Sequence, residues 1–327
     1  MSIVIGCSGS TGSSLLKTLL NRHPQLFAGP EANLFAYPQV YHNWAYWKKY
    51  LLTDIKTDGW QLTKGMQLLQ PAFGWSSANL RKVISDSPSF STFVNQFFSK
   101  PLIQNGKQKW VAKTPANAMG MADYIRQFPE GHIIQTVRNP YDTIASLMAR
   151  GMNVWQATGY YVYNTAIATS NWENDRYFHL KYEDLTIRPK QTLQTLFEFL
   201  QLPFEDKILI AQHEKRNEPS SMPGWKNEET GAVVPSSVGR FAECEPEQQE
   251  LIKVALARFQ ISDFYQKKYN IFFKNGMEIC AHLGYDYWEI KEKKYDFLLR
   301  KYIWRDRFGR VKHGFWEQFF HYPGSIL

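Results

Sequence analysis

Four short stretches of this chain carry residues that can grip an anion or move a proton. The first, Gly6-Cys7-Ser8-Gly9-Ser10-Thr11-Gly12-Ser13-Ser14, combines three glycines with five hydroxyl side chains. Glycine lets the backbone approach a ligand closely, and successive amide N–H groups then point at it. The second is Glu31, a lone carboxylate just after Gly29-Pro30; a carboxylate can take a proton from an attacking group. The third is Lys113, in Lys113-Thr114-Pro115. The fourth is Arg138-Asn139-Pro140-Tyr141-Asp142, with Ser146 eight residues after the arginine. A guanidinium and a hydroxyl converging on one point clamp a phosphate or sulfate group.

These residues can act together only if strands carry them to one edge. Ile3, Val4 and Ile5 read as a short buried strand, and Leu15, Leu16, Leu19 and Leu20 recur as one apolar helical face. The loop therefore joins a strand to a helix N-terminus, whose dipole favours an anion. Leu26-Phe27-Ala28 predicts a second strand, with Glu31 just past it at the start of a helix. Residues 107–115 predict a strand ending at Lys113-Thr114-Pro115. Residues 131–137 predict a buried strand from which Arg138 emerges, with Ser146 on the first turns of the following helix. Residues 177–182 predict a further strand ending in Tyr182-Glu183-Asp184-Leu185, and helices are expected over 117–128, 154–172, 189–200 and 245–259. Residues 37–100 are rich in Trp, Tyr and Phe without alternation, and read as a helical insertion of the kind that walls a pocket. Residues 216–237 have the composition of a mobile loop containing Lys226, which closes with Ser236-Ser237-Val238-Gly239-Arg240-Phe241. The expected fold is α/β: a P-loop-like parallel sheet flanked by helices on both faces, with helical insertions and a helical C-terminal extension. The expected division is a main domain over 1–264 and a basic, aromatic helical extension over 265–327.

Composition narrows the classes. The chain has 327 residues, 44% of them hydrophobic, which fits a large globular core and not disorder. No apolar run reaches the roughly 18 residues a membrane helix needs, and the N-terminus does not read as a signal peptide. Three scattered cysteines, Cys7, Cys244 and Cys280, have no metal-ligand spacing and point to a reducing compartment, hence a cytoplasmic protein. The formal charge of +8 suits anionic ligands, but no dense basic run marks a nucleic-acid partner. Residues 265–327 hold twelve Lys and Arg against seven Asp and Glu, with Trp288, Trp304 and Trp316 among them. That composition fits a helical appendage packed on the main domain, or a peripheral membrane or partner contact.

Taken together and in order, these motifs resemble the sulfotransferases that use 3′-phosphoadenosine 5′-phosphosulfate (PAPS), over roughly residues 1–200 and more weakly to 259. The segment from Gly6 to Leu16 is similar to that family's 5′-phosphosulfate loop. Arg138 and Ser146 have the spacing of its 3′-phosphate motif, Tyr182-Glu183-Asp184-Leu185 is similar to its tyrosine-containing segment, and Val238-Gly239-Arg240-Phe241 resembles its late G-R-W segment with Phe in place of Trp. Within the family the spacing is nearest to the tyrosylprotein-type and related bacterial enzymes. The resemblance implies Glu31 as catalytic base and Lys113 as the cation that assists the leaving group. It implies a donor site made of Gly9, Ser10, Thr11, Gly12, Ser13, Ser14, Arg138, Ser146, Tyr182, Ser237, Gly239 and Arg240. PAPS is then the sulfuryl donor, adenosine 3′,5′-bisphosphate the product, and no metal is needed. Two positions depart from the family pattern. Ser10 stands where the loop usually has Arg or Lys, so a basic contact is missing there; Lys113 or Lys17 would have to replace it. Asn33 stands where the tyrosylprotein enzymes have arginine, which argues against an acidic peptide as acceptor. A small-molecule, lipid or carbohydrate hydroxyl is expected instead.

Blander readings exist residue by residue. Arg138 would form an i,i+4 surface ion pair with Asp142, Lys113 would be a solvated strand-end charge, and the loop would be a plain glycine turn. Two other functions compete. A P-loop kinase or hydrolase requires a lysine after Gly12, where Ser13 stands. A non-catalytic anion-binding or membrane-surface module would use the basic tail and leave the strand-end residues dispensable.

Overall fold

Five short strands build the centre of the molecule, in the order β2-β3-β1-β4-β5, all parallel. They are β1 (Ser2–Cys7), β2 (Leu26–Ala28), β3 (Lys109–Lys113), β4 (Gly131–Val137) and β5 (Tyr177–Lys181). A computed structural model of the chain describes residues 2–32, 34–52, 73–170, 173–210, 233–290, 293–312 and 321–326. The expected loop residue Lys226, the departure at Asn33, Trp172 and Trp316 lie outside the described residues.

The strands are apolar on both faces because helices cover both. Alternation along β1 shows the sorting. Ile3 and Ile5 join Leu16, Leu19 and Leu20 of α1 (Ser13–Arg22) and Leu193, Leu196 and Phe197 of α10 (Pro189–Phe199). Val4 faces the other way, into a core with Phe35, Phe90, Phe93, Phe97, Phe98, Trp110 and Tyr124. Much of that core comes from the aromatic insertion, whose described helices are α2 (Pro38–His42), α3 (Trp44–Leu52), α4 (Ser77–Asp86) and α5 (Phe90–Gln104). Phe98 stacks on Trp110 with centroids 4.6 Å apart, and Phe35 stacks on the same indole at 5.5 Å. The described helices of the insertion therefore pack against one sheet face.

After β3 the chain makes a 3₁₀ turn (Pro115–Gly120) and α6 (Met121–Gln127). The expected single helix over 117–128 is thus two pieces. Close packing sets the break: a Cβ on Gly120 would stand 2.0 Å from the Phe35 carbonyl oxygen. After β4 come α7 (Pro140–Met148) and α8 (Val154–Thr169), and after β5 comes α9 (Tyr182–Ile187). Asn139 caps α7 by accepting the N–H groups of Tyr141 and Asp142, and Pro140 starts it.

The described elements of the C-terminal quarter are α11 (Pro246–Arg258), β6 (Phe259–Ile261), α12 (Asp263–Tyr269), α13 (Gly276–Leu283), α14 (Asp296–Lys312) and β7 (Gly324–Ile326). β6 and β7 pair antiparallel. Ile279, Leu283, Tyr295 and Leu299 from this region share one core with Val154, Tyr161 and Val162 of α8 and Ile252 of α11. Among the described residues no helix is long and apolar enough to cross a membrane.

Candidate active site

The register of the sheet decides which strand-end residues meet. Val111 of β3 pairs with Ala28 of β2, and Lys113 pairs with Ile5 of β1. Lys113 thus ends beside both the segment after β2, which holds Glu31, and the loop after β1. Its Nζ contacts Glu31 Oε1 and donates to Ser14 Oγ at 3.1 Å. The lysine side chain is 1% exposed and the glutamate 40%. A buried ammonium thus faces one partner that opens to solvent and one on the glycine loop. Glu31 is not at a helix start, as the sequence led us to expect. It lies in an irregular stretch after β2, and the next helix begins at Pro38.

The loop itself turns on two left-handed residues, Ser10 at φ 64° and Gly12 at φ 85°. Gly12 requires glycine twice over, since a Cβ there would also stand 2.4 Å from Tyr182 Cδ2. Ser10 is a non-glycine in that region, which costs about 1 kcal/mol or more. α1 begins at Ser13 with no side-chain cap and no acid in its first turn. Its leading N–H groups are therefore available to an anion, and the dipole is not neutralised. Thr11 plays a different part from the one expected. Its hydroxyl donates inward to the Ser8 carbonyl (2.8 Å) and lies 2.8 Å from Thr136 Oγ1, so only its backbone can face a ligand.

Arg138 follows Val137, which pairs with Lys181, so Arg138 and Tyr182 emerge side by side from β4 and β5. The guanidinium sits 5.0 Å from the centroid of the Tyr182 ring. It donates to the Ser10 carbonyl at 3.0 Å and to the Ser237 carbonyl, and Asp142 Oδ2 lies 3.8 Å away. Arg138 is 3% exposed, so the surface ion pair of the bland reading is in fact a buried one. Burial lowers its pKa from the ordinary value, and the Asp142 carboxylate works against that shift. Its Nε is buried with no hydrogen-bond partner among the described residues. Orphaned buried donors are rare in folded proteins, and this one, like the buried hydroxyl of Ser8 on the same loop, fits a bound anion.

The segment 237–241 reaches this place from far along the chain. Asp142 holds it: its two carboxylate oxygens accept the N–H groups of Gly239 and Phe241, each at 2.8 Å. Gly239 is in the left-handed region, and the turn aims Arg240 back so that its Nη1 donates to Ser146 Oγ at 2.9 Å. Ser237 enters through its backbone carbonyl and not through its hydroxyl. The structure thus gathers Ser10, Gly12, Ser14, Glu31, Lys113, Arg138, Ser146, Tyr182, Ser237, Gly239 and Arg240 at the carboxyl edge of the sheet, with Gly9 and Ser13 on the loop among them.

Two residues of this cluster, Arg150 and Tyr160, escaped the sequence reading, and two more, Asp142 and Glu183, entered it without the roles the structure gives them. Arg150 donates from Nη1 to Ser10 Oγ at 3.1 Å, which brings a cation to the position where the loop lacks one. The signal available was its spacing of four from Ser146. Tyr160 of α8 packs under the loop, 3.0 Å from where a Cβ on Gly9 would be. Burial pushes its hydroxyl well above the ordinary tyrosine value, so it stays neutral. Asp142 entered the sequence reading only as an ion-pair partner. Glu183 accepts the Asn139 N–H at 2.8 Å and the Tyr285 hydroxyl at 3.0 Å, tying the turn after β4 to the C-terminal region.

Fold and cluster define a parallel α/β protein with a glycine-rich loop at the carboxyl edge of its sheet, on which three cationic side chains, Lys113, Arg138 and Arg150, converge. The sequence profile of the sulfotransferase family matches residues 2–206, and the chain belongs to that family. It is 20% identical over 249 residues to a protein-tyrosine sulfotransferase of Drosophila melanogaster, an alignment that covers 71% of this chain and 44% of the fly protein. The chain thus spans less than half the length of that curated relative. Among solved structures, the sulfotransferase domain of the Synechococcus PCC 7002 olefin synthase superposes with a TM-score of 0.53 at 16% identity, over 88% of this chain and 94% of that one, and shares its fold. The sulfotransferase domain from the curacin biosynthetic pathway gives a TM-score of 0.46 at 20% identity, over 87% and 98%.

Proposed function

We propose that this chain transfers a sulfuryl group from PAPS to an acceptor hydroxyl, with Glu31 as general base. The observation that carries the reading is Lys113, a buried ammonium contacting both Glu31 and Ser14. It links a carboxylate to an anion-binding loop through one charge, which is the arrangement an in-line displacement needs. Bound PAPS supplies the activated sulfuryl group.

Each residue then has a physical task. The N–H groups of residues 9–14 and the Ser13 and Ser14 hydroxyls hold the 5′-phosphosulfate end. Arg138, Ser146 and Arg240 hold the 3′-phosphate, which distinguishes the donor from ordinary adenylates, and Arg138 is held in turn by Tyr182 and the Ser10 and Ser237 carbonyls. Arg150 supports Ser10. One oxygen of Glu31 contacts Lys113; the carboxylate has no other partner among the described residues, so it can accept the proton of the acceptor hydroxyl as the acceptor's own oxygen attacks sulfur and the phosphate oxygen departs. Lys113 stabilises the charge that develops on the departing phosphate oxygen. Positioning and electrostatics supply the catalysis, and no covalent enzyme intermediate is invoked. The acceptor is a small-molecule, lipid or carbohydrate hydroxyl.

The test is a thermal melt with adenosine 3′,5′-bisphosphate, with and without EDTA, beside Arg138→Ala. Ligand at a hundred times its Kd stabilises by about 2.7 kcal/mol, a shift of several degrees. We expect a metal-independent shift that Arg138→Ala abolishes, and Glu31→Gln to keep the shift while losing transfer of labelled sulfate from PAPS by about 10²–10⁴-fold. A folded wild-type protein with no shift at saturating ligand would overturn the reading.

A further inference from the structure

We propose that the outward face of α14 is a docking surface for a membrane rich in anionic lipid. This rests on geometry independent of the active site. Phe297, Trp304 and Phe308 are 84%, 52% and 60% exposed. At 3.6 residues per turn the three fall within an arc of about 40°, and they run about 16 Å along the helix axis. They form one ridge and are not scattered surface residues. Trp304 and Phe308 stack with centroids 6.0 Å apart, and the Arg307 guanidinium lies 5.4 Å from the Trp304 ring centroid.

Cations border the ridge. Arg300, Lys301, Arg305 and Lys312 are exposed, and none has an ion pair among the described residues. Both acids of the helix are turned away. Asp306 is buried and accepts from Gln156 Nε2 (2.9 Å), the Tyr322 hydroxyl (2.6 Å) and Arg310 Nε (2.8 Å). Asp296 pairs with Arg258 at 3.2 Å. The inward face is already satisfied, with Leu299 fully buried in the core shared with α8. So the helix uses its acids and its aliphatic face to fix itself to the protein, and presents aromatic rings flanked by positive charge.

Charge complementarity selects the occupant. Rings at this spacing sit at the boundary of headgroup and acyl chain, while long basic side chains reach the lipid phosphates on either side. An isolated Trp or Phe on a surface needs no explanation, but three aligned rings with four flanking cations, and no outward-facing acid among the described residues of the helix, match an anionic bilayer. Single-stranded nucleic acid stacks its bases along a groove, whereas these rings stand on one face of a single helix.

The full chain should be sedimented with vesicles of phosphatidylcholine alone, or of phosphatidylcholine with 30% (about one lipid in three) phosphatidylserine. We expect partition onto the anionic vesicles only, falling as salt is raised. Arg300→Gln with Lys301→Gln and Arg305→Gln should weaken it on the order of 100-fold, at about fivefold per cation. Phe297→Ser with Trp304→Ser and Phe308→Ser should weaken it by about tenfold or more. Both variants should keep the wild-type Tm without ligand, because the altered side chains are exposed; this control does not depend on donor binding. Equal partition onto both vesicle types, or partition unchanged in either triple variant, would overturn the proposal. So would concentration-dependent self-association in sedimentation velocity that the ring variant abolishes while vesicles bind nothing, which would assign the face to a second copy of the chain.

Discussion

Asp142→Asn tests whether a residue that touches no ligand controls the donor site. Asp142 is 4% exposed, and its two oxygens accept the Gly239 and Phe241 N–H groups at 2.8 Å each. Asparagine keeps one acceptor oxygen and replaces the other with an NH₂ group, which would face an N–H. One charge-assisted bond is lost and the other weakened, at about 1.5–3 kcal/mol for a bond to a charged group. The buried Arg138, 3.8 Å from the carboxylate, also loses its counter-charge. The sum is on the order of 2–4 kcal/mol, or roughly 3–8 °C in Tm for a chain of this length. The functional effect follows from position. Released from Asp142, the Gly239 turn no longer aims Arg240 at Ser146. One charge-assisted phosphate contact then disappears, which weakens adenosine 3′,5′-bisphosphate about 10–100-fold by calorimetric titration at a temperature well below Tm. Arg240→Ala should cost a similar factor, and the double variant little more than either alone, because both act on one contact. An Asp142→Asn protein that is destabilised but binds the bisphosphate within twofold of wild type would refute the argument. Fully additive losses in the double variant would refute it equally.

Gly12→Ala combines a left-handed alanine with a Cβ 2.4 Å from the Tyr182 ring; it should lower Tm and weaken the bisphosphate together, whereas Gly106→Ala, with open space around it, should lower Tm by only about 1 kcal/mol worth and leave binding unchanged. Arg150→Ala should weaken donor binding by about tenfold without a large change in Tm, measured by the same titration, because the half-buried guanidinium contacts the hydroxyl of Ser10. The fold should also lose stability in mild acid. Burial, with Lys181 and His282 nearby, lowers the His179 pKa to about 4, below its unfolded 6.5. The unfolded chain therefore binds the proton first as pH falls. Stability is whole above pH 6.5 and declines between 6.5 and 4, by up to about 3 kcal/mol. His179→Asn should flatten the Tm–pH curve across that window, and an unchanged slope would exclude His179 as its source.

The strands and their terminal residues could be read from the sequence because each signal is local. Ile3-Val4-Ile5 is an apolar run, and Gly131–Val137 carries the β-branched and aliphatic Ile133, Ile134 and Val137 directly before Arg138. What the chain does not carry locally is strand order. Glu31 and Lys113 lie 82 residues apart, and they touch because β2 pairs with β3 in the register Ala28↔Val111. Arg138 and Tyr182 meet for the same reason, through Val137↔Lys181. The four strand-end residues marked the edge where a site forms, but only the register shows which of them meet.

The loop shows the opposite limit. Its Ser10 reads as a lost cation if the motif is judged by its own letters. In the folded chain the Ser10 carbonyl accepts from Arg138, and its hydroxyl accepts from Arg150, twelve residues after Arg138 and past the end of α7. Lys113 meets Ser14 from another strand. An anion on this loop experiences the charge within a few ångströms, whichever segment supplies it. Three guanidinium or ammonium groups converge on a loop with no basic residue from Gly6 to Ser14. What an anion on this loop requires is local potential, not a cation at one position of the motif. A cation missing from a motif is therefore weak grounds for calling the site lost, until the neighbours that the fold brings in have been counted.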